Sequence, residues 1–213
     1  MSDALSPRMA WYFDFISPYS YLQFAAYPQL VRSAELRPVL FAGLLNHWGS
    51  KGPAELPAKR VQTYRHTHWM ARRRGIEMRY PPAHPFNPIP ALRLALALGS
   101  GFDAVKTIFE FIWKEGRAVA EEWPALVAQL GLTRAAADAM IAEQRIKDAL
   151  AANGREAIAR GVYGVPTFDT GTELFWGLDA TDMLLEYLEH PGLFDDAEMQ
   201  RLANLPVAAA RGS

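Results

Sequence analysis

The chain has 213 residues, half of them hydrophobic, and a formal net charge of −1, which is the composition of an ordinary globular protein with a sizeable core. This charge balance argues against a general nucleic-acid or acidic-membrane binder, and no apolar run is long enough to predict a membrane span, so we expect a cytoplasmic protein. The absence of cysteine excludes a disulfide, a thiolate-bound zinc ion and a protein thiol nucleophile.

The first predicted elements are a strand and a helix joined by a short turn. Residues 9–15, "MAWYFDF", are apolar and rich in aromatic side chains, which is typical of a buried strand. Ser17 and Pro18 then predict a helix start, because serine caps free N–H groups and proline is favoured at the first helical position. The predicted helix covers residues 17–32 and is expected to bend at Pro28.

The middle of the chain is predicted to be helical. Residues 35–41, "ELRPVLF", favour a second strand, which would lie parallel to the first. After a loop rich in Gly and Pro, helical periodicity and glycine stops indicate five helices, interrupted by an extended Pro-rich connector at residues 80–90. The predicted helices cover residues 59–75, 91–101, 102–116, 121–132 and 133–154.

Strand patterns return near the C-terminal end. Residues 165–168 and 173–176 flank a turn that contains glycine, which predicts a β-hairpin. An amphipathic helix follows, with Asp179 or Thr181 as its expected cap. The order of elements predicts one α/β domain that is split by a helical insertion. The α/β domain would comprise residues 9–42 and 158–195, and the insertion residues 43–157.

The turn after the first strand has the spacing of a dithiol redox motif, with hydroxyl groups in place of sulfur. The tetrapeptide is Ser17-Pro18-Tyr19-Ser20. A helix N-terminus carries partial positive charge and unpaired N–H groups, which stabilise a thiolate, and a serine hydroxyl adds one more donor. Because the chain has no cysteine, such a site would hold a sulfur supplied by a ligand. The alternative is that Ser17 only caps the helix.

Three segments resemble those of a known family. They are "FDFISPYSYL" at the first turn, "LRPVLFAGLLNHWGSKGPAELPAKR" from the second strand onward and "ARGVYGVPTFDTGTELFWGLDATDML" at the hairpin. In these segments the chain resembles the 2-hydroxychromene-2-carboxylate isomerases, which group with the kappa-class glutathione transferases. The resemblance implies a thioredoxin-like, DsbA-like α/β fold with a large all-helical insertion, and glutathione as the cofactor.

The resemblance assigns the sulfur end of glutathione to the two motifs. It implies that Ser17 is catalytic, with its hydroxyl beside the glutathione sulfur, and that Pro18 and Tyr19 take part in the same contact. It also implies that Pro166 is a cis-proline facing the active site. The backbone of Val165 would pair with the cysteinyl part of glutathione, as an added strand does.

The resemblance assigns the rest of glutathione to two further places. Leu178 and Asp179 would bind the γ-glutamyl end, and Ser50 and Lys59 would contribute from the loop after the second strand. The chain departs from the family at two points. The family commonly has an Asp-Arg pair where this chain has Asp179-Ala180, and it often has asparagine at the position of Ser50.

The resemblance implies a glutathione-dependent cis–trans isomerase of an α,β-unsaturated aromatic keto acid in aromatic catabolism, acting by reversible addition of the glutathione thiolate. It also implies a homodimer, and neither a metal, a nucleic acid nor a membrane is expected as a partner. His47 and Trp48 are expected to line the substrate pocket. One alternative is a kappa-like glutathione transferase or peroxidase acting on another electrophile. The other is a redox-inactive binding module that docks an extended peptide beside Pro166.

Five further side chains have simpler interpretations. Asp14, in the predicted buried strand, is either a hydrogen-bonded structural acid or a group perturbed by the nearby site, and we favour the structural interpretation. His66 and His68 are two residues apart on a predicted helix, so they point in different directions and do not chelate one metal ion. His84, in the Pro-rich connector, is expected to make loop hydrogen bonds, as is its neighbour Asn87.

Overall fold

The computed structural model describes residues 9–209, which fold around a four-stranded sheet. The strands are β1 (Ala10–Phe13), β2 (Glu35–Pro38), β3 (Thr167–Asp169) and β4 (Leu174–Trp176), in the spatial order β2–β1–β3–β4. β1 and β2 are parallel, whereas β3 is antiparallel to both β1 and β4. The parallel pair and the hairpin predicted from the sequence are confirmed.

The central strand β1 is buried on both faces of the sheet. Trp11 and Phe13 lie in the main hydrophobic core, where their rings stack 4.7 Å apart. Tyr12, which lies between them in the sequence, packs instead with Val39 and Val162 in a second, smaller core. Because neighbouring side chains on a strand point to opposite faces, the continuous aromatic run fits a strand that is covered on both sides.

The helices of the first half of the chain begin at prolines in three cases. Pro18, Pro28 and Pro57 each occupy a first helical position, where a missing N–H costs nothing. The predicted bend at Pro28 is a break between two helices. The elements are α1 (Pro18–Ala26), α2 (Pro28–Ser33), α3 (Phe41–His47), a 3₁₀ turn (Pro53–Glu55) and α4 (Pro57–Arg73).

The second half of the chain adds seven more helices around the sheet and the main core. The Pro-rich connector has no regular structure up to Pro88, as predicted, but its last two predicted residues, Ile89 and Pro90, already belong to the next helix. Within the described residues the elements are α5 (Ile89–Ala97), α6 (Phe102–Phe109) with a π-helical turn (Glu110–Lys114), α7 (Trp123–Gln129), α8 (Arg134–Ala142), α9 (Gln144–Ala159), α10 (Thr181–Glu189) and α11 (Ala197–Ala203).

The second strand is shorter than its apolar pattern indicates. The prediction of a strand over residues 35–41 is wrong at its C-terminal end, because β2 ends at Pro38 and α3 begins at Phe41. The backbone N–H of Phe41 donates to Asp14 Oδ2 at 2.9 Å. This long-range bond satisfies a free N–H group in the first turn of α3, and nothing in the local sequence predicts it.

The single helix predicted over residues 133–154 is also wrong. The chain breaks at Glu143, whose ψ angle of 134° is extended, and this break separates α8 from α9. α9 then continues through Gly154, where an added Cβ would meet nothing within 4 Å. The helix α9 ends instead just before Gly161, whose φ angle of +83° lies in the left-handed region that favours glycine.

The start of α10 differs from the prediction as well. Neither Asp179 nor Thr181 caps the helix, because Ala180 occupies the N-cap position and no side chain accepts a hydrogen bond there. The hydroxyl of Thr181 donates instead to the carbonyl of Leu178 at 2.7 Å. Thr181 therefore holds the loop that precedes the helix.

The predicted division into residues 9–42, 43–157 and 158–195 stays a prediction. Its two internal boundaries fall inside α3 and α9 rather than in loops. Over residues 9–209 no single helix is long and apolar enough to cross a membrane, and only the pair α7–α8, bent by 94°, meets the length and composition test when the two helices are taken together.

Candidate active site

Ser17 caps the first helix and keeps a hydrogen to donate. Its backbone is extended, and its Oγ accepts the N–H of Ser20 at 3.2 Å. Because that oxygen accepts from Ser20, its own hydrogen remains available to a ligand. Pro18 follows and has no N–H. The N–H of Tyr19 has no hydrogen-bond partner within residues 9–209, so the helix start presents one hydroxyl and one amide as donors.

The loop that presents Ser17 is held by side chains of the helical block. Trp113 Nε1 donates to the carbonyl of Phe15 at 2.8 Å, and His84 Nε2 lies 2.8 Å from the carbonyl of Ile16. A carbonyl oxygen only accepts, so this contact assigns the His84 proton to Nε2. Both carbonyls thus accept a hydrogen bond from the helical block, while the Ser17 hydroxyl and the Tyr19 N–H remain available as donors.

Asp14 is fully buried at the end of β1 and joins two walls of the site. Its Oδ1 accepts the N–H of Ile16 at 3.0 Å, and its Oδ2 accepts the N–H of Phe41 at 2.9 Å. Burial raises the pKa of Asp14 to about 7, against the opposing effect of the backbone hydrogen bonds. Asp14 is thus a hydrogen-bonded structural acid and a perturbed group at the same time.

The hairpin side of the site contains a cis peptide bond and an open backbone. The bond between Val165 and Pro166 is cis, as the resemblance implies. The N–H and C=O groups of Val165 have no hydrogen-bond partner in the part of the chain that the structure describes. A Cβ added at Gly164 would overlap the indole of Trp176, so only glycine allows this close approach.

A cavity of about 350 Å³ opens at the start of α1 and is bounded by the α/β and helical parts of the chain. Its wall combines the first turn, α3, the 3₁₀ turn, the connector and the hairpin. The lining residues are Asp14, Ile16, Ser17, Pro18, Tyr19, Leu40, Phe41, Ala42, Leu45, Gly52, Pro53, Ala54, Glu55, Thr63, His84, Pro85, Phe86, Pro88, Val165 and Trp176. Four predicted site residues, Ser17, Pro18, Tyr19 and Val165, are therefore brought together here.

The loop before α10 is tied to α1 by a buried glutamine. Gln23 Nε2 donates to the carbonyl of Gly177 at 3.1 Å and to the hydroxyl of Thr181 at 2.8 Å. Leu178 is buried in this loop, and Asp179 is exposed. Burial, and then the negative charge of Asp179, raise the pKa of Tyr19. Asp179 therefore lies close to the start of α1 without lining the cavity.

The remaining predicted residues lie outside the cavity wall. Ser50 and Lys59 are exposed, in the loop after α3 and the first turn of α4. His47 and Trp48 are also exposed, with their rings 5.0 Å apart. Trp48 Nε1 donates to the carbonyl of Val162 at 3.0 Å, which holds this indole against the strand side of the fold. Their roles stay predictions.

Sequence reasoning missed several wall residues. His84 and Asn87 make loop hydrogen bonds as predicted, but His84 also lines the cavity, and its Nδ1 lies 2.7 Å from the Tyr64 hydroxyl. Burial lowers the pKa of His84, which keeps the imidazole neutral. Phe86 and Trp176 were not singled out. The sequence marks these two residues only by their aromatic character, and aromatic residues more often belong to the hydrophobic core.

The histidines of α4 form no metal site. His66 and His68 are both exposed, and within residues 9–209 no group of three or more His, Cys, Asp or Glu side chains is arranged to bind a metal ion. The ring of His66 instead approaches those of Tyr19 and Trp69, at 6.5 and 6.1 Å between centroids.

Comparisons with known proteins identify the family of the chain and its fold. The family described as DSBA-like thioredoxin domain matches residues 9–189. A 2-hydroxychromene-2-carboxylate isomerase from Pseudomonas putida is 30% identical over 82% of this chain and 90% of its own length. The solved structure of a 2-hydroxychromene-2-carboxylate isomerase has a TM-score of 0.75 at 24% identity, covering 93% of this chain and 99% of that one.

A more distant structural relative is the cytosolic disulfide reductase DsbM from Pseudomonas aeruginosa, solved with GSH. It has a TM-score of 0.55 at 20% identity and covers 92% of this chain and 99% of that one. This likeness and the one at 24% identity establish a shared fold, and the predicted thioredoxin-like fold with a helical insertion is confirmed.

The fold and the hydroxyl-bearing turn define a thioredoxin-fold protein without a redox-active thiol. The chain belongs to the DSBA-like thioredoxin domain family and, within it, to the family of the 2-hydroxychromene-2-carboxylate isomerases. The family predicted from the three sequence segments is confirmed.

Proposed function

We propose that this chain is a glutathione-dependent cis–trans isomerase of α,β-unsaturated aromatic keto acids of the 2-hydroxychromene-2-carboxylate type. The observation that carries the proposal is the Ser17 hydroxyl, which has a hydrogen to donate at a helix N-terminus beside an apolar cavity. The name of the Pseudomonas putida relative supports the reaction, and the DsbM structure solved with GSH supports glutathione as the cofactor.

The start of α1 fits the sulfur of glutathione. The Ser17 hydroxyl and the Tyr19 N–H are two unoccupied donors at the positive end of a helix dipole, and both favour an anion. No thiol of the chain competes for this position, because the sequence has no cysteine. Ser17 is only 6% exposed, so its hydrogen bond to a thiolate would be shielded from water.

The hairpin side fits the peptide part of glutathione. The open N–H and C=O groups of Val165, next to Pro166, are suited to pair with an extended tripeptide. Leu178 and Asp179 follow in a loop that Gln23 holds against α1, where a carboxylate would attract the γ-glutamyl ammonium. In this proposal Ser50 and Lys59 bind from the opposite side, and the exposed ammonium of Lys59 is suited to a glutathione carboxylate.

The chain's own residues orient the reacting groups and control the sulfur. Bound glutathione would supply a thiolate that adds reversibly to the conjugated carbon and so permits rotation about the former double bond. Ser17 would donate to that sulfur and favour its anionic form. The apolar side chains of Phe41, Phe86 and Trp176 would pack against the aromatic ring and exclude water.

The direct test is turnover of 2-hydroxychromene-2-carboxylate by the purified protein. We expect isomerisation to trans-o-hydroxybenzylidenepyruvate, in a reaction that depends on glutathione and leaves the glutathione concentration unchanged. Consumption of glutathione with formation of a stable adduct would instead indicate a transferase. Absence of turnover together with no retention on immobilised glutathione would contradict the proposal and favour a peptide-binding module. We also expect a homodimer, which light scattering measures.

A further inference from the structure

The wall of the cavity contains many apolar side chains and no cation. Leucine, isoleucine, valine, alanine, phenylalanine, proline and tryptophan side chains make up most of the lining, and none of the described residues that contribute to it is lysine or arginine. Apart from Tyr19, whose already high pKa is raised further by burial, three lining residues are ionisable, namely Asp14, Glu55 and His84. The side-chain charge that the wall offers to a ligand is therefore set by these three groups, while the start of α1 adds the two donors that the proposed function gives to the glutathione sulfur.

None of the three side chains would stabilise an anionic ligand, because each is either neutral or a carboxylic acid. The two ring nitrogens of His84 contact the Ile16 carbonyl and the Tyr64 hydroxyl, and burial lowers its pKa, so the ring carries no positive charge at neutral pH. Glu55 and Asp14 are carboxylic acids, and both accept hydrogen bonds from backbone N–H groups. Glu55 Oε1 accepts the N–H of Gly52 at 2.6 Å, and Asp14 accepts those of Ile16 and Phe41. A carboxylate inside this cavity would lose its hydration without gaining a counter-ion.

Lys51, exposed next to Gly52 of the wall, is the nearest cation in sequence, and two more stand on the first turns of α4. Lys59 is exposed, and Arg60 is half-buried next to it. The positive charge of Arg60 acts on the Tyr64 hydroxyl, which contacts His84 of the wall. A ligand with one aromatic end and one anionic end would therefore insert the aromatic end and leave its anion at the mouth, near α4.

We propose that the cavity selects an uncharged aromatic group, so that the protein accepts uncharged aryl α,β-unsaturated ketones as well as aryl keto acids. This inference rests on the proposed function for its reaction, and it extends that function to a further class of substrate. The net conversion is cis to trans about one C=C bond, so it consumes no co-reactant. The carboxylate then contributes through contacts at the mouth, not through the cavity.

A binding experiment without glutathione tests the selection directly. Calorimetric titration compares trans-benzylideneacetone with trans-benzylidenepyruvate, which share the aryl enone and differ in the carboxylate. We expect the neutral ketone to bind the wild-type protein at least as tightly as the acid. Binding of the acid that is about tenfold tighter or more, or no binding of the ketone, would overturn the inference.

A matched pair of variants tests the charge argument. Thr63 lines the cavity from α4 and is partly exposed, so its replacement leaves the core intact. Thr63→Lys adds a cation to the wall and is expected to strengthen binding of the acid by about tenfold, with little change for the ketone. Thr63→Met adds similar length without charge and is expected to leave the ratio unchanged. An unchanged ratio in Thr63→Lys would contradict the argument.

Turnover separates this inference from the function on which it rests. With glutathione present, we expect the cis forms of the ketone and the acid to be isomerised with kcat/KM values within about tenfold of each other. Turnover of the acid with a ketone rate about a hundredfold lower would overturn the inference alone. Turnover of neither compound would overturn the proposed function, and the binding comparison would still decide the selection.

Discussion

The buried carboxyl of Asp14 accepts the backbone N–H of Phe41 at 2.9 Å and so joins the turn that presents Ser17 to the first residue of α3. Its other oxygen accepts the N–H of Ile16. One side chain thus positions two walls of the cavity, and it does so at the cost of burying an ionisable group.

The first prediction concerns the pH dependence of stability. Burial raises the pKa of Asp14 in the folded chain from 3.8 to about 7, so between these values the folded chain binds more protons than the unfolded chain. The free energy of unfolding should therefore fall as pH rises from about 4 to about 7, by at most roughly 1.4 kcal/mol per pH unit, and level off above.

Replacement of Asp14 isolates this effect. In Asp14→Asn the pH-dependent loss should be smaller, which urea denaturation at a series of pH values measures. Asp103→Asn, an exposed carboxylate on α6, is the control and should retain the wild-type slope. Identical slopes for wild type and Asp14→Asn would contradict a raised pKa at this position.

The second prediction separates the capping role of Ser17 from its chemical role. Thr133 caps α8 in the same way, with its hydroxyl accepting the N–H of Ala136 at 3.2 Å. Ser17→Ala and Thr133→Ala should each lower the free energy of unfolding by about 1 kcal/mol. Only Ser17→Ala should also lower kcat, roughly ten- to hundredfold, because it removes a hydrogen bond to a charged sulfur.

Steady-state kinetics and the ultraviolet absorbance of bound thiolate check this second prediction. In Ser17→Ala the thiol pKa of bound glutathione should rise, while its dissociation constant should change little. A variant that loses stability but keeps both kcat and the thiol pKa would leave Ser17 as a helix cap only.

The third prediction compares two glycines. In Gly164→Ala the new Cβ would overlap the Trp176 indole, which must leave its place over the cavity. We expect weaker glutathione binding and altered tryptophan fluorescence. Gly154→Ala, in the interior of α9 with nothing within 4 Å, should instead stabilise the chain by about 0.5–1 kcal/mol without changing binding. Equal effects of the two changes on glutathione affinity would refute the role given to Gly164.

The fourth prediction concerns the buried amide of Gln23. Its Oε1 accepts from Trp11 Nε1 at 2.7 Å, and its Nε2 holds the loop that carries Asp179. Gln23→Leu leaves the Trp11 donor unpaired, so we expect a loss of about 1–3 kcal/mol in stability and a weaker glutathione affinity. Gln29→Leu, on the exposed side of α2, is the control. If the folded Gln23→Leu protein bound glutathione with unaltered affinity, this loop would not be part of the binding site.

Local patterns were sufficient for elements whose signals are local. The aromatic run of β1, the Ser-Pro start of α1 and the glycine beyond α4 each determine a conformation within a few residues, and the structure has all three. The end of β2 was missed because a hydrogen bond from Phe41 to a residue 27 positions earlier starts α3 there. The break at Glu143 has no Gly or Pro to mark it.

The candidate site shows the same division between local and distant signals. Ser17 and Val165 were found because each lies in a short motif, and both line the cavity. Phe86 and Trp176 come from segments far apart in the chain, and only the folded arrangement brings them to one wall. The short motif and the family resemblance therefore predicted which residues would face the glutathione sulfur, but they did not reveal the pocket proposed for the aromatic group.

A crystal structure of the protein with glutathione would test the proposed position of the sulfur most directly. We predict that the glutathione sulfur lies within hydrogen-bonding distance of Ser17 Oγ and the Tyr19 amide, with the cysteinyl backbone paired to Val165. Glutathione bound elsewhere, or with its sulfur turned away from the start of α1, would contradict it.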